Sequence, residues 1–461
     1  MDTNDKYITI PLEDLRKNLE LIRINRIPVW RINNSGQYVI IPVDRLEQFI
    51  GDNQRNIVFY ITREWESLIQ VESPDVIKDS GYNGDGWIGS GDTFYLQKRN
   101  EARNMTPAQR DREYQSVLES LERIELSDKI INEKVLVGLI EAISDAFVLD
   151  KASFEENYKE DGNVSPEHIK SMARNTTSLV QSIMNILKNN KAANNFINML
   201  GEKSTGSTID HMNSVFLIYL PFCFFYNSYF SKGKIAKLRG EYRKKYYKYY
   251  KKLIRANPPE SLEDVFNGGM REIPQERLLQ FSIGALLHDI GKIDNIDYFE
   301  GEGKYDKSLI MKHAPISYNM IVKTREFDHE VALLAALHHE YYNNAAGYGI
   351  SKMLFPLNTR KYKNVQYCLT YNINDVKSGM ALAYVPIKML EIVDVFDALT
   401  DKNRRYRERE FTVDEALELM KDEFIDKSLK IDPILFSIFL EYVSNYSIFK
   451  DETLFRKIII R

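Results

Sequence analysis

The side chains best suited to chemistry are histidines and two aspartates between residues 211 and 394. The chain has seven histidines, and five of them fall where metal ligands would be needed. The candidate ligands are His211, His288, Asp289, His313, His338, His339 and Asp394. Imidazole nitrogens with carboxylate oxygens and no thiolate are typical of catalytic Mn, Fe or Zn sites rather than of Cys-rich structural zinc sites. The pattern therefore predicts a catalytic metal centre.

One part of this pattern, the dipeptide His288-Asp289, stands near the end of the apolar run LLQFSIGALLHDIGK. We expect a buried helix whose final turn presents both side chains, because burying such a pair without a metal would be costly. Lys292 lies three and four residues further on, hence on the same helical face, where its ammonium could meet a substrate phosphate. His338 and His339 would be about 100° apart on a helix and could reach different ions.

Such a centre would suit phosphoryl chemistry. A carboxylate that bridges two cations lets them share a hydroxide of lowered pKa while both polarise a phosphoryl oxygen for in-line attack. Each position also has an ordinary structural explanation. A lone histidine such as His211 on an apolar helix is more often a core or cap residue, and Asp394 could be a buried acid paired with Arg. The order of the seven candidate ligands, taken together, favours the metal centre. His168 and His329 stand in polar contexts, and we expect both side chains to be exposed to solvent.

The order of these motifs resembles the HD-GYP family, the branch of the HD superfamily that hydrolyses cyclic di-GMP. The resemblance covers about 190 to 461. LLHDIGKI matches the HD signature, HAPISYNMI the third ligand segment, LHHE the double histidine and VPIKMLEIVDVFDALT the last ligand helix. The resemblance implies an all-helical phosphohydrolase core.

The resemblance also implies the roles of individual residues. One metal would bind His211, His288, Asp289 and Asp394, and the other would bind Asp289, His313, His338 and His339. Asp289 would thus bridge two divalent transition-metal ions, Fe or Mn, and act with Lys292 in catalysis. Lys292, Tyr348, Arg404 and Arg407 would bind the substrate. For the two arginines, a solvated Arg-rich turn remains the alternative.

The chain also departs from the family pattern. The loop after the double histidine ends in Gly347-Tyr348-Gly349 without the proline of the GYP motif. Ser207 stands where three-metal members carry Glu, so two ions are expected. Longer spacings between ligands indicate insertions near 232–270 and 351–383. The first carries a basic, tyrosine-rich run, KKYYKYYKK, expected to be a solvated helix face or an arm over the cleft, and the second is predicted to form a β-hairpin.

The remaining sequence predicts three parts in a mainly α fold. Residues 1–105 contain the β-type runs YITIPL, IPVWRI, QYVIIP, IVFYIT and DTFYLQ, and we expect a small β-containing domain with a regulatory role. Helical periodicity begins near 106 and predicts a helical connector over 106–192. Residues 193–461 would form the HD-GYP-like catalytic domain with its two insertions.

Composition bounds the setting of the protein. Two cysteines in 461 residues argue against a disulfide framework and favour a reducing compartment, so we expect a cytoplasmic protein. The apolar stretch 215–230 is interrupted by Pro221 and Asn227, so it predicts a buried core helix rather than a membrane span. We expect no DNA partner, and leave open a homodimer and a protein partner for the N-terminal domain.

The metal-ligand pattern predicts a metal-dependent phosphohydrolase, and the resemblance to the HD-GYP family implies a phosphodiesterase that opens cyclic di-GMP to pGpG, with further cleavage to GMP left open. One alternative is an HD-type hydrolase of another cyclic dinucleotide or of a nucleotide phosphate. A second alternative is a cyclic-dinucleotide receptor without turnover, although such a receptor has little need of a two-metal site.

Overall fold

The computed structural model describes most of the chain from residue 90 onwards and short pieces before it. The described residues are 7–10, 15, 22, 29–32, 38–41, 46, 59–62, 90–127, 133–159, 165–189, 200, 208–292, 312–342, 365–401 and 411–446. The chain divides into two compact units, Met1–Gly86 and Trp87–Arg461. Each unit is described by itself.

The first unit contains an antiparallel sheet. Its strands are β1 (Tyr7–Ile10), β2 (Val29–Ile32), β3 (Tyr38–Ile41) and β4 (Phe59–Thr62), in the spatial order β1-β4-β2-β3. Buried residues face each other across the pairs, with Ile10 opposite Phe59 and Val29 opposite Ile41. Four of the predicted β-type runs are therefore confirmed as strands.

The fifth β-type run, DTFYLQ, was predicted wrongly, because it lies inside a helix. This helix is α1 (Ser90–Asn104). The run continues directly into KRNEARN, which contains good helix formers, and a helix once nucleated extends at little cost. A short aromatic run therefore follows the preference of its neighbours.

Three long helices come next: α2 (Pro107–Ser127), α3 (Glu133–Lys159) and α4 (Pro166–Asn189). At the start of α2, the Thr106 hydroxyl accepts from the backbone N–H of Gln109 (3.3 Å), and the Gln109 side chain accepts from the N–H of Thr106 (2.7 Å). These reciprocal bonds satisfy groups that a helix start leaves open. The helical connector has the predicted secondary structure.

The remaining elements are also mostly helical. They are α5 (Thr208–Ser231), α6 (Lys234–Lys245), α7 (Tyr247–Leu253), α8 (Leu262–Val265), α9 (Gln275–Leu286), α10 (His313–Thr324), α11 (His329–Leu337), β5 (Tyr367–Thr370), α12 (Ile373–Lys377), β6 (Ala381–Tyr384), α13 (Val385–Thr400), α14 (Val413–Leu419), a π-helix (Met420–Lys427) and α15 (Pro433–Tyr446). The predicted mainly α fold is confirmed. Among the helices that the structure describes, none has the length and apolar character needed to cross a membrane.

Helix α5 is the predicted core helix. Its residues Phe216, Leu217, Tyr219 and Phe222 are fully buried. The Tyr219 hydroxyl donates to the carbonyl of Pro386 at the start of α13 (3.2 Å), which ties the two helices together. Helix α5 therefore has a fixed position beside α13, on which Asp394 lies.

The second insertion contains a parallel strand pair, so the predicted hairpin was wrong. In this pair Tyr367 lies opposite Ala381, with α12 between the strands. Asn372 starts α12 by accepting from the backbone N–H of Asn374 (3.1 Å). Because this helical turn carries the chain back past β5, β6 runs in the same direction as β5, as a crossover requires. Strand β6 then leads directly into α13.

The first insertion is part of the folded core rather than a solvated arm. Four tyrosines of this insertion are buried: Tyr242 in α6, Tyr246 between the two helices, and Tyr249 and Tyr250 in α7. Lys244, Lys248, Lys251 and Lys252 are exposed. The expectation of a solvated face therefore holds for these lysines and fails for the tyrosines between them.

Candidate metal centre

The predicted ligands come from five segments that pack together. His211 lies in the first turn of α5, and Asp394 lies in the middle of α13. His313 is the first residue of α10, whereas His338 and His339 directly follow α11. The predicted ligands, each at most 8% exposed, are His211, His288, Asp289, His313, His338, His339 and Asp394. The structure brings all of them into one buried cluster.

His288 and Asp289 lie just beyond the end of α9 rather than in its final turn. Helix α9 ends at Leu286, and the chain turns tightly, with the Lys292 N–H donating to the carbonyl of Asp289 (2.9 Å). Gly291 permits this turn to approach α10 closely, because a Cβ there would lie 2.6 Å from the carbonyl oxygen of His313 and would also clash with the backbone nitrogen of Ser317. The glycine of the HDIGK run thus places Asp289 against His313.

The Asp289 carboxylate lies at the centre of the cluster, and its two oxygens face different imidazoles. Oδ2 lies 3.4 Å from His288 Nε2 and 3.5 Å from His211 Nε2. Oδ1 lies 3.0 Å from His313 Nε2 and 3.6 Å from His338 Nε2. One carboxylate therefore separates two sets of nitrogen atoms.

Asp394 also contacts both sets. Its Oδ1 lies 3.0 Å from His211 Nε2 and 4.0 Å from His288 Nε2, and its Oδ2 lies 3.7 Å from His339 Nδ1. Three groups have ligand atoms within 4.8 Å of one another: His211, His288 and Asp394; His288, Asp289 and His338; His313, His338 and His339. Each group has the size and donor chemistry of a transition-metal site.

Hydrogen bonds orient three of the imidazoles. Nδ1 of His288 donates to the carbonyl of Ala285, and Nδ1 of His338 donates to the carbonyl of Ala335, both at 2.8 Å. Nδ1 of His211 donates to the Asp397 carboxylate. A neutral ring that donates from Nδ1 keeps a lone pair on Nε2, and all three Nε2 atoms point into the cluster. This is the tautomer that a metal ligand needs.

Asp397 was not predicted from the sequence. It lies three residues beyond Asp394 on α13, so both carboxylates share one helical face. Its spacing in VDVFDALT was the available signal. Gly291 and Asp397 both act by placing a ligand.

Burial governs the charge states of the cluster. Desolvation lowers the pKa of His338 to about 4 and holds the pKa of His339 well below its usual value. Burial would raise the pKa of Asp289, but the Lys292 ammonium and the His288 and His313 imidazoles outweigh it and keep that pKa well below its usual value. A neutral His338 and a neutral His339 beside an ionised Asp289 are protonation states that metal binding requires.

Two buried atoms in the cluster test its fit to a cation. His288 Nε2 and Asp289 Oδ1 have no hydrogen-bond partner among the residues that the structure describes. Burying a polar atom without a partner is costly, and a bound cation would accept both lone pairs. The donor set and these two atoms fit divalent transition-metal ions.

Of the four residues predicted to bind substrate, the structure describes Lys292. Lys292 Nζ lies 2.8 Å from Asp289 Oδ2, at the edge of the cluster, so it contacts a predicted ligand directly. Tyr348, Arg404 and Arg407 lie outside the described residues. His168 on α4 and His329 at the start of α11 do not belong to the cluster.

Comparisons with known proteins agree with the site on one range of the chain. Residues 264–400 match the sequence model of the HD domain family, a range that contains His288, Asp289, His313, His338, His339 and Asp394 but not His211. Among solved structures, a protein from Bdellovibrio bacteriovorus, described as a HDG"Y"P protein, matches at 11% sequence identity and a TM-score of 0.34, covering 95% of this chain and 98% of that chain. That likeness is too distant to indicate a shared function. No curated protein matches the chain. The family match shows that residues 264–400 are similar to the HD domain.

Proposed function

We propose that the HD domain of this chain hydrolyses a cyclic dinucleotide, cyclic di-GMP, to linear pGpG with two divalent transition-metal ions, Fe or Mn. The observation that carries the proposal is the position of Asp289, whose two carboxylate oxygens face two different sets of imidazoles. A bridging carboxylate of this kind is typical of two-metal phosphoryl chemistry. The catalytic unit would comprise residues 193–461, with the segment 1–105 as a regulatory domain.

The distances support the two ligand sets that the family resemblance implies. The first ion would bind His211, His288, Asp289 Oδ2 and Asp394, and the second would bind Asp289 Oδ1, His313, His338 and His339. Two such ions lower the pKa of water to the neutral range and polarise a phosphoryl oxygen. The burial of all seven ligands keeps bulk water away from the reacting phosphate, which strengthens electrostatic interactions there.

The other residues would bind and orient the substrate. The Lys292 ammonium is positioned to stabilise negative charge on a non-bridging phosphoryl oxygen, because it lies beside the bridging carboxylate. Tyr348, Arg404 and Arg407 would hold the rest of the dinucleotide. Hydrolysis would break the bond from phosphorus to the ribose 3′-oxygen, which leaves as a hydroxyl, and the product would carry a 5′-phosphate.

The test is a substrate panel. Purified protein loaded with Fe(II) or Mn(II) is incubated with several cyclic dinucleotides and nucleotide phosphates, and the products are separated by chromatography, with Asp289→Ala as the inactive control. The proposal predicts pGpG from cyclic di-GMP. Turnover of another member of the panel alone would refute the substrate assignment. Tight binding of cyclic di-GMP without any product would identify a receptor instead.

A further inference from the structure

The two histidines of the LHHE run lie just beyond α11, and this helix orients the His338 ring, whose Nδ1 donates to the carbonyl of Ala335 (2.8 Å). Helix α11 ends at Leu337, and the backbone turns at once, with the N–H of Glu340 donating to the carbonyl of Leu337 (2.9 Å). The position of His339, one residue further from α11, therefore depends also on contacts made by the residues that follow it. Those contacts come from α13 and from the region around α15.

Lys388 on α13 makes the first of these contacts. Its ammonium donates to the carbonyl of Glu340 (2.7 Å) and to the Glu391 carboxylate (2.8 Å), and it lies 4.1 Å from the centroid of the Tyr342 ring. Lys388 is 1% exposed and Glu391 is fully buried. Desolvation makes a buried ion pair a weak source of stability, so a positioning role accounts for this pair better than stability does. Because Asp394 follows on the same helix, α13 both carries a predicted ligand and contacts the residue after His339.

Asp432 makes the second contact. Its carboxylate accepts from the hydroxyl of Tyr342 (3.1 Å) and from the hydroxyl of Tyr250 in α7 (2.8 Å). It also accepts from the backbone N–H groups of Ile434 (3.0 Å) and Leu435 (2.9 Å) at the start of α15. A fully buried carboxylate with four donors is fixed in place, so Tyr342 is fixed with it.

We propose that Lys388 and Asp432 are positioning residues for His339, and that the tyrosine-rich insertion acts on the metal centre through Tyr250. The contacts form one continuous path from Tyr250 through Asp432, Tyr342 and Lys388 to the carbonyl of Glu340, next to His339. This inference rests on the proposed two-metal site. It assigns a function to the tyrosine-rich insertion, which has no role in the proposed chemistry.

The competing explanation is that these contacts only stabilise the fold. Tyr246 provides a matched control, since it lies on the same insertion, is buried, and donates its hydroxyl to Ser437 Oγ on α15 (2.9 Å). Tyr246→Phe removes the hydrogen bond from the insertion to α15, and Tyr250→Phe removes the one to Asp432, directly before α15. Only Tyr250→Phe removes a contact on the path to His339.

The experiment is a calorimetric titration with Mn²⁺ of the full-length wild type and of five variants, and Tm is measured for each protein. The variants are Lys388→Met, Lys388→Arg, Tyr342→Phe, Tyr250→Phe and Tyr246→Phe. Partners that orient a metal ligand commonly contribute about tenfold to a hundredfold in metal affinity. We expect Lys388→Met to weaken the second ion by about that factor, and Lys388→Arg to restore part of the loss. The two tyrosine variants on the path should weaken the second ion less, whereas Tyr246→Phe should change Tm alone.

Two results would overturn the inference, and they differ from a failure of the metal site itself. If the wild type binds two ions and the variants on the path bind both with unchanged affinity, the positioning role is refuted while the site stands. The role is equally refuted if affinity falls with Tm in every variant, including Tyr246→Phe. If the wild type binds fewer than two ions, the proposed site and this inference fail together. The tyrosine variants keep the test decisive if Lys388→Met does not fold.

Discussion

His211 donates its Nδ1–H to the carboxylate of Asp397, and Nδ1 lies 2.6 Å from the carboxylate oxygen Oδ2. Asp397 stands one helical turn beyond Asp394 on α13, and Asp394 faces the other nitrogen of the same ring. Helix α13 therefore contacts both sides of one imidazole, which fixes the orientation and the tautomer of His211.

This contact predicts the effect of Asp397→Asn. The uncharged amide can donate to Nδ1 and so favour the wrong tautomer of His211, and we expect the affinity for the first ion to fall about tenfold to a hundredfold. Metal titration of the purified variant measures the change. Asp375→Asn is the matched control, because Asp375 is also buried and accepts from Thr370 (2.6 Å) and Asn267 (2.7 Å) away from the cluster. Wild-type affinity for both ions in Asp397→Asn would show that the hydrogen bond is dispensable.

Lys292 gives a prediction that separates substrate binding from metal binding. The Lys292 ammonium lies 2.8 Å from Asp289 Oδ2, so it competes with a metal ion for that oxygen. Replacing Lys292 by Gln removes this competing cation. We expect Lys292→Gln to bind both ions at least as tightly as the wild type. Its kcat/KM should fall by about one to two decades, the equivalent of about 1.5–3 kcal/mol for a charge-assisted hydrogen bond to a phosphate.

The control for Lys292→Gln is Lys252→Gln, which removes an exposed lysine of α7. It should leave both metal affinity and kcat/KM unchanged. Loss of metal from Lys292→Gln would mean that Lys292 supports the site and does not act on the substrate. Full activity at limiting substrate would exclude it from phosphate binding.

A third prediction concerns stability in the helical connector. Asp150 on α3 is fully buried and accepts from the hydroxyls of Tyr114 (3.1 Å) and Thr176 (3.0 Å). Burial raises its pKa to about 8, although both hydrogen bonds act to lower it. The folded protein therefore retains a proton that the unfolded chain loses near pH 4, roughly the usual value for Asp.

It follows that the contribution of Asp150 to stability should fall as the pH rises from about 4 towards 8, because at this residue the folded state binds more protons across this window. The contribution of Asp150 to the slope is at most about 1.4 kcal/mol per pH unit. Asp150→Asn should flatten the profile of unfolding free energy from urea titrations at pH 5 and pH 8. Asp145→Asn, which alters a more exposed carboxylate of the same helix, should leave the slope as in the wild type. Parallel profiles for the wild type and Asp150→Asn would contradict the buried, protonated state.

Some features of the fold and of the candidate site could be predicted from the sequence, and others could not, for physical reasons. The candidate ligands could be grouped in advance because rare residue types recurred in one order on apolar helices, and their shared burial follows from that pattern. Asp397 and Gly291 were missed because their roles depend on a neighbouring helix. The parallel pairing of β5 and β6 was missed because alternating runs around NDVKSG fit a hairpin equally well, and the helical turn of α12 decides the direction. The buried tyrosines of α6 and α7 were missed because a run rich in lysine has the composition of a solvated face.

The central claim is that Asp289 bridges two metal ions. Its most direct test is the metal content of purified protein loaded with Mn²⁺ or Fe²⁺, measured by elemental analysis for the wild type and for Asp289→Ala, with folding checked by circular dichroism. The account predicts two ions per chain in the wild type, and little bound metal and no turnover in a folded Asp289→Ala. A wild type that is active without metal, or an Asp289→Ala protein that retains both ions, would contradict it.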